Sequence, residues 1–232
     1  MSKTYEHLRA RAETEDRSKP SPIGEYQRMR VWLTTATPQD HHSKTVMVAA
    51  CHAGTGSTTT AAMLAATLAA GKKSRVLIVD GNFRTPSLNR VFKVDNTCGL
   101  TETVCEGTPF EAHIQPTDRQ NLFVLTTGQI SLAPTEVFEG EAIDQLLFHL
   151  KQRFDFIIFD AAPLLEFPDS YALAPRVDSV IMVVEADKTA VEGAQRAKRD
   201  LERLGGHILG VVLNRQKDYT PTLFKKFFGR SH

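Results

Sequence analysis

The sequence predicts an α/β fold, a doubly wound and mostly parallel sheet with helices on both faces, and three observations carry that prediction. Apolar runs of strand length alternate with segments of helical periodicity from Thr45 to Asn214, the order that yields successive β-α units. Runs such as Val76-Leu77-Ile78-Val79 are apolar without alternation, as strands covered on both faces are. Two runs end in an aspartate and another ends in a glycine-rich turn, which gathers polar groups on the carboxyl edge where open α/β sheets bind ligands.

Taken in order, residues 1–24 are polar, charged and punctuated by Lys19-Pro20-Ser21-Pro22, and are expected to form a flexible leader. From Glu25 to about Ala36, Met29, Trp32 and Leu33 fall at helical spacing, which predicts a helix docked on the domain. A polar turn follows, whose His41-His42 pair reads as solvated loop rather than metal site. Thr45 to Ala49 is the first strand; it enters the turn Ala50 to Thr60 and then the alanine-rich helix Ala61 to Ala70, stopped by Gly71-Lys72-Lys73. Arg75 to Asp80 is a second strand ending in a carboxylate. A helical piece near Gly99 to Glu106, a short strand Asn121 to Leu125 and a helix from about Glu141 to Arg153 come next. Phe154 to Asp160 repeats the apolar run with a terminal aspartate, Asp178 to Glu185 is another strand, and an acidic, proline-bounded loop lies between them. Thr189 to Leu204 is helical, and His207 to Asn214 is the last strand. The domain is therefore expected over 25–215, with a tail at 216–232.

Composition narrows the function classes. At 232 residues, 41% hydrophobic, the chain can bury one sizeable core. Its 28 basic and 27 acidic residues leave a formal charge of +1, so no electrostatic case exists for nucleic acid as a partner. Cys51, Cys98 and Cys105 are odd in number and lack paired metal-type spacing, which fits a reducing, cytoplasmic setting. No window reaches the roughly 18 apolar residues of a membrane span, so a role at a membrane is expected to run through a partner.

Ala53-Gly54-Thr55-Gly56-Ser57-Thr58 has the form of a phosphate loop without its lysine. Backbone N–H groups converge on an anion there, and glycines permit close approach. With Asp80 and Asp160 on the same sheet edge, Thr58 and these carboxylates have the hard oxygen donors that magnesium prefers.

On these residues the chain resembles the bacterial tyrosine kinases (BY-kinases) of capsular and extracellular polysaccharide production, within the Min- and Par-like P-loop ATPases. The family's loop P-G-x-G-K-S/T is matched by Ala53 to Thr58, its motif D-x-D-x-R-x-P-S by Asp80-Gly81-Asn82-Phe83-Arg84-Thr85-Pro86-Ser87, and its later strand aspartate by Asp160. Gly99-Leu100-Thr101, Asn121 to Leu125, Ala133-Pro134-Thr135-Glu136, Pro163 to Asp169 and Val211-Val212-Leu213-Asn214-Arg215 continue the likeness. The resemblance implies ATP or ADP held by Gly54, Thr55, Gly56, Ser57, Thr58, Thr59, Arg84 and Asn214. It further implies Mg2+ on Thr58, Asp80 and Asp160, and catalysis at Asp80, Asn82 and Asp160. It also implies a membrane copolymerase or activator subunit as partner, and self-association through a helix motif E-x-x-R-x-x-R that Glu25, Arg28 and Arg30 match in part; a plain surface ion pair explains Glu25 and Arg28 equally well.

The departures set the functional expectation. Ser57 stands where the family has lysine, Asn82 where it has a second aspartate, and Ala53 where it has proline. The family's tyrosine-rich tail is reduced to Tyr219. A charged hydrogen bond to phosphate contributes roughly 1.5–3 kcal/mol, and losing one donor to a migrating phosphoryl group costs ~10²–10³ in rate. Arg84 is the first candidate to restore the charge, since the family keeps an arginine there; Lys72 and Lys73 could do so too but read rather as a helix end exposed to water. The expectation is a regulatory or scaffolding protein with weakened nucleotide binding and little kinase activity. An active ATP-dependent tyrosine kinase or ATPase, and a Min/Par-type positioning ATPase, are the alternatives. The aromatic and basic run Leu223 to Arg230 reads as a docked end, or else as a contact for an anionic membrane or a partner.

Overall fold

The computed structural model describes residues 22–35, 43–71, 74–129 and 134–216. The histidine pair, Lys72, Lys73, Ala133, most of the leader and the tail from residue 217, with Tyr219, lie outside the described residues. Seven strands form one sheet: β1 (Lys44–Ala50), β2 (Val76–Gly81), β3 (Gln115–Pro116), β4 (Leu122–Leu125), β5 (Phe156–Ala161), β6 (Ser179–Glu185) and β7 (Ile208–Asn214). Their spatial order is β3-β4-β2-β5-β1-β6-β7. All neighbours are parallel except β3, which runs antiparallel to β4. The order reverses between β2 and β1, on either side of β5, so the three strands expected to carry the site lie side by side at the sheet centre.

The unbroken apolar runs follow from two covered faces. Successive side chains point to opposite sides of a strand, so Met47, Leu77, Ile157 and Phe159 enter one core layer while Val46, Val48, Ile78 and Ile158 enter the other. Helices α1 (Pro22–Thr35) and α2 (Ser57–Ala69) belong to the second layer, through Leu33, Leu64 and Leu68. The alanines of α2 let its axis lie close over β1, β2 and β5. Short helices α3 (Leu88–Phe92), α4 (Leu100–Cys105) and α5 (Pro134–Glu139) come before α6 (Glu141–Lys151), α7 (Asp169–Leu173) and α8 (Val191–Arg203). Of these, α6 buries Ile143, Leu146, Leu147 and Leu150 against the first layer, and α8 adds Ala197 and Leu201.

Several expectations are corrected. The first helix starts at Pro22 rather than Glu25. Its inner stripe is Met29 and Leu33, one helical turn apart, which leaves Trp32 at the flank and 61% exposed rather than docked. The Nζ of Lys44 donates to the Leu33 carbonyl at 2.7 Å and closes that helix end. The supposed loop after β5 contains α7, tied back to the end of the strand by Ser170 Oγ, which donates to the Ala162 carbonyl at 2.6 Å. Helices α3, α5 and α7 and strand β3 are too short for their periodicity to register in sequence.

Candidate functional site

The carboxyl end of β1 delivers the phosphate-type loop directly into α2. Its entry is fixed by the neighbouring backbone: Cys51 N–H donates to the Val183 carbonyl at 3.2 Å, and the Leu164 and Leu165 N–H groups donate to the Ala50 and Cys51 carbonyls at 2.8 and 3.1 Å. Gly54 has φ +75° and Gly56 φ +98°, so both adopt the left-handed region that favours glycine. At Gly56 space also forbids a side chain, since a Cβ would lie 2.4 Å from Nδ2 of Asn214. That amide donates to the Thr55 carbonyl at 2.7 Å, while Thr55 Oγ1 donates to the His52 carbonyl at 2.7 Å. Asn214, carried by β7, thus braces the loop from outside. The first turn of α2 opens at Gly56, where helical N–H groups have no earlier carbonyl to bond and are available to an anion. The Ser57 and Thr58 residues are half-buried there and Thr59 is exposed.

Asp80 and Asp160 stand opposite each other in the β2–β5 register. Asp160 is fully buried, and its Oδ2 accepts the Thr58 hydroxyl at 2.6 Å. Among the described residues its Oδ1 has no hydrogen-bond partner. Burial first, then the neighbouring Asp80 charge, pushes the Asp160 carboxyl up to about 8 against the opposing pull of Thr58. Asp80 is also raised by burial, opposed by three backbone donors: Asn82 N–H at 3.3 Å on Oδ1, and Ser87 and Leu88 N–H at 2.9 Å on Oδ2. Asp80 therefore organises the turn into α3 and lends negative charge, while Asp160 holds the bare oxygen. An orphaned buried carboxylate oxygen beside a threonine hydroxyl is a donor set suited to a hard divalent cation. Magnesium fits these residues, with Thr58 and Asp160 as the groups that would hold it and Asp80 as the adjoining charge.

The rest of the acidic motif is held by partners of its own. Asn82 is buried and bonds locally, its Nδ2 donating to Thr85 Oγ1 at 3.1 Å and its Oδ1 accepting the Thr85 N–H at 3.2 Å. Arg84 forks onto Asp169, Nε to Oδ2 at 2.8 Å and an Nη to Oδ1 at 3.0 Å, and its guanidinium lies 4.8 Å from the centre of the Phe167 ring. The Asp169 side chain is 1% exposed, so this pair joins α7 to the turn after β2.

Two contacts escaped the sequence. Glu166 Oε1 accepts the Ala53 N–H at 2.7 Å and lies 3.6 Å from His52 Nδ1. A proline at residue 53 would have no N–H to give, so the alanine there was the available signal, although nothing indicated Glu166 as its acceptor. Asp169, likewise, carried no local mark of its partner. On α1, the Arg28 guanidinium and the Glu25 carboxylate form an exposed pair at 2.9 Å.

Comparison with known proteins agrees with this architecture. A family model described as an AAA domain matches residues 43–208. The chain is 33% identical over 179 residues to the tyrosine-protein kinase YwqD of Bacillus subtilis (strain 168), covering 77% of this chain and 75% of that protein. It is similar to the crystal structure of the chimerical protein CapA2B2, with TM-score 0.78 and 28% identity over 88% of each chain. The septum site-determining protein MinD complexed with Mg-ADP from Pyrococcus horikoshii OT3 shares the fold, with TM-score 0.63 and 23% identity over 79% of this chain and 76% of that one.

Proposed function

Since the chain belongs to the bacterial tyrosine-kinase family and carries its AAA-type P-loop domain, we propose that it is a regulatory or scaffolding member of that family. It acts at the cytoplasmic face of a membrane apparatus for extracellular polysaccharide synthesis or export, with weakened nucleotide binding and little or no tyrosine phosphorylation. The supporting observation is the charge arrangement around the loop. The backbone cradle is retained, Ser57 offers a hydroxyl where the family has a lysine, and Arg84 is engaged by Asp169.

Each residue then has a defined part. The N–H groups from Gly54 to Thr59 bind phosphate oxygens, Asn214 keeps the loop open in its left-handed turns, and Thr58 with Asp160 would hold the divalent ion. A bound magnesium supplies neutralisation of phosphate charge. Without a cation at residue 57, binding persists more readily than catalysis, because catalysis depends on positive charge fixed around the migrating group. By the family resemblance, the partner is a membrane copolymerase or activator subunit that docks on this domain.

One observation favours the alternative of an active ATP-dependent kinase or ATPase: the Thr58–Asp160 bond and the bare Oδ1 keep the metal half of the site intact. Incubation of the full chain with radiolabelled ATP and Mg2+ separates the two readings. The proposal predicts no tyrosine phosphorylation above background, with or without an added tyrosine-rich peptide. Magnesium-dependent phosphorylation that disappears in Asp160→Ala would overturn it.

A further inference from the structure

An apolar groove of about 460 Å³ lies between α1 and β7. Met29 and Trp32 form one wall, Val211 and Leu213 the other, and Glu25 and Gln216 are among its lining residues. Trp32, Val211 and Leu213 are 61%, 57% and 53% exposed, an unusual clustering of large apolar side chains on a water-facing surface. Among the described residues β7 has no strand on its outer side. Its sequence Ile208-Leu209-Gly210-Val211-Val212-Leu213 contains neither a charge nor a proline to discourage pairing, although natural sheet edges are usually blunted or covered.

We propose that this groove is the docking site of the chain's own C-terminal segment Leu223–Phe228. Gln216, at the end of the described domain, is itself a groove residue, so the continuation of the chain starts at the surface it would cover. Arg215, with φ +55° and its guanidinium 3.2 Å from Glu185, turns the backbone out of the β7 line. Six residues, 217–222, then separate the groove residue from Leu223, a tether reaching up to ~20 Å when extended. In helical spacing Leu223, Phe224, Phe227 and Phe228 share one face, leaving Lys225 and Lys226 on the opposite side. This is the helix-in-groove mode of recognition, with aromatic anchors meeting an apolar cleft. Attachment by a short tether sets an effective concentration of order mM, which favours the chain's own segment over a free competitor.

Trp32 is the sole tryptophan of the sequence, so its fluorescence reads the groove directly. The experiment compares the full chain with a full-length Leu223→Asp/Phe227→Asp variant, each over a hundredfold range of concentration and with or without phosphatidylserine vesicles. Far-ultraviolet circular dichroism checks that the variant keeps its fold. The variant is expected to emit at longer wavelength, and acrylamide quenching of the intact chain should be roughly half that of the variant, since docking covers one face of the indole. A synthetic peptide of residues 217–232 added to the variant should restore the protection, and the same peptide with Phe227→Asp should not. Identical emission and quenching in the two proteins would overturn the proposal. So would protection that depends on protein concentration, which identifies a second copy in the groove, or protection that appears only with vesicles, which assigns the segment to a membrane.

Discussion

Replacing Asp160 by asparagine should change the pH dependence of stability in a defined direction. Asp160 is fully buried, and its folded-state pKa of about 8 lies far above the ordinary 3.8. Between those values the folded state keeps a proton that the unfolded state has released. Stability is therefore greatest below about pH 4 for this group, falls as pH rises, and reaches its low plateau once pH passes about 8. Each tenfold change in proton affinity is ~1.4 kcal/mol, so the full span corresponds to a ceiling of about 6 kcal/mol. Relaxation and water entry reduce such penalties; one third of the ceiling, ~2 kcal/mol, still moves Tm by about 4–8 °C in a domain of this size. Thermal melts at pH 4, 5, 6, 7, 8 and 9 should show the native Tm falling relative to that of Asp160→Asn across that range. Added Mg2+ at pH 8 should recover the native protein and leave the variant unmoved. Melting curves that shift in parallel across the range would refute the assignment of a protonated, metal-ready carboxylate.

Three other substitutions test the surroundings of the loop. Gly56→Ala should destabilise the fold by at least ~1–2 kcal/mol, because the left-handed backbone strains any side chain, and Asn214→Ala in the same protein should recover only the part due to the clash; urea midpoints measure both. Arg84→Ala should cost roughly 3 kcal/mol by leaving the 1%-exposed Asp169 carboxylate without its cation, again read from urea unfolding, with Arg84→Lys recovering only part of the loss. Glu166→Ala frees the Ala53 N–H and removes a negative charge from the loop mouth, so inorganic phosphate and ADP should bind several-fold more tightly by calorimetry.

The sheet was legible because its signals are local. Val76 to Val79 and Phe156 to Phe159 are apolar throughout since both faces are covered, and each run announces a central strand by composition alone. The phosphate loop was legible for the same reason, its glycines, hydroxyls and following helix being contiguous. The register that sets Asp80 against Asp160 follows once the two strands are neighbours. What stayed hidden is contact across sequence. Arg84 was available in sequence as a replacement cation, but its partner lies 85 residues away, and the Glu166 contact to Ala53 spans 113 residues. Trp32 shows the limit of periodicity in a different way: three residues after Met29 it shares that residue's side of α1, yet it lies at the flank of the stripe, over the groove beside β7, and is 61% exposed.

The loop keeps its backbone cradle, and Ser57 leaves it without the lysine charge. Calorimetric titration of ATP and ADP with Mg2+ into the native chain and into Ser57→Lys tests this most directly. A restored charged hydrogen bond of roughly 1.5–3 kcal/mol predicts that the lysine variant binds ~10–150-fold more tightly than the native chain, which retains weak, magnesium-dependent binding. Tight native binding left unchanged by the lysine would contradict the account.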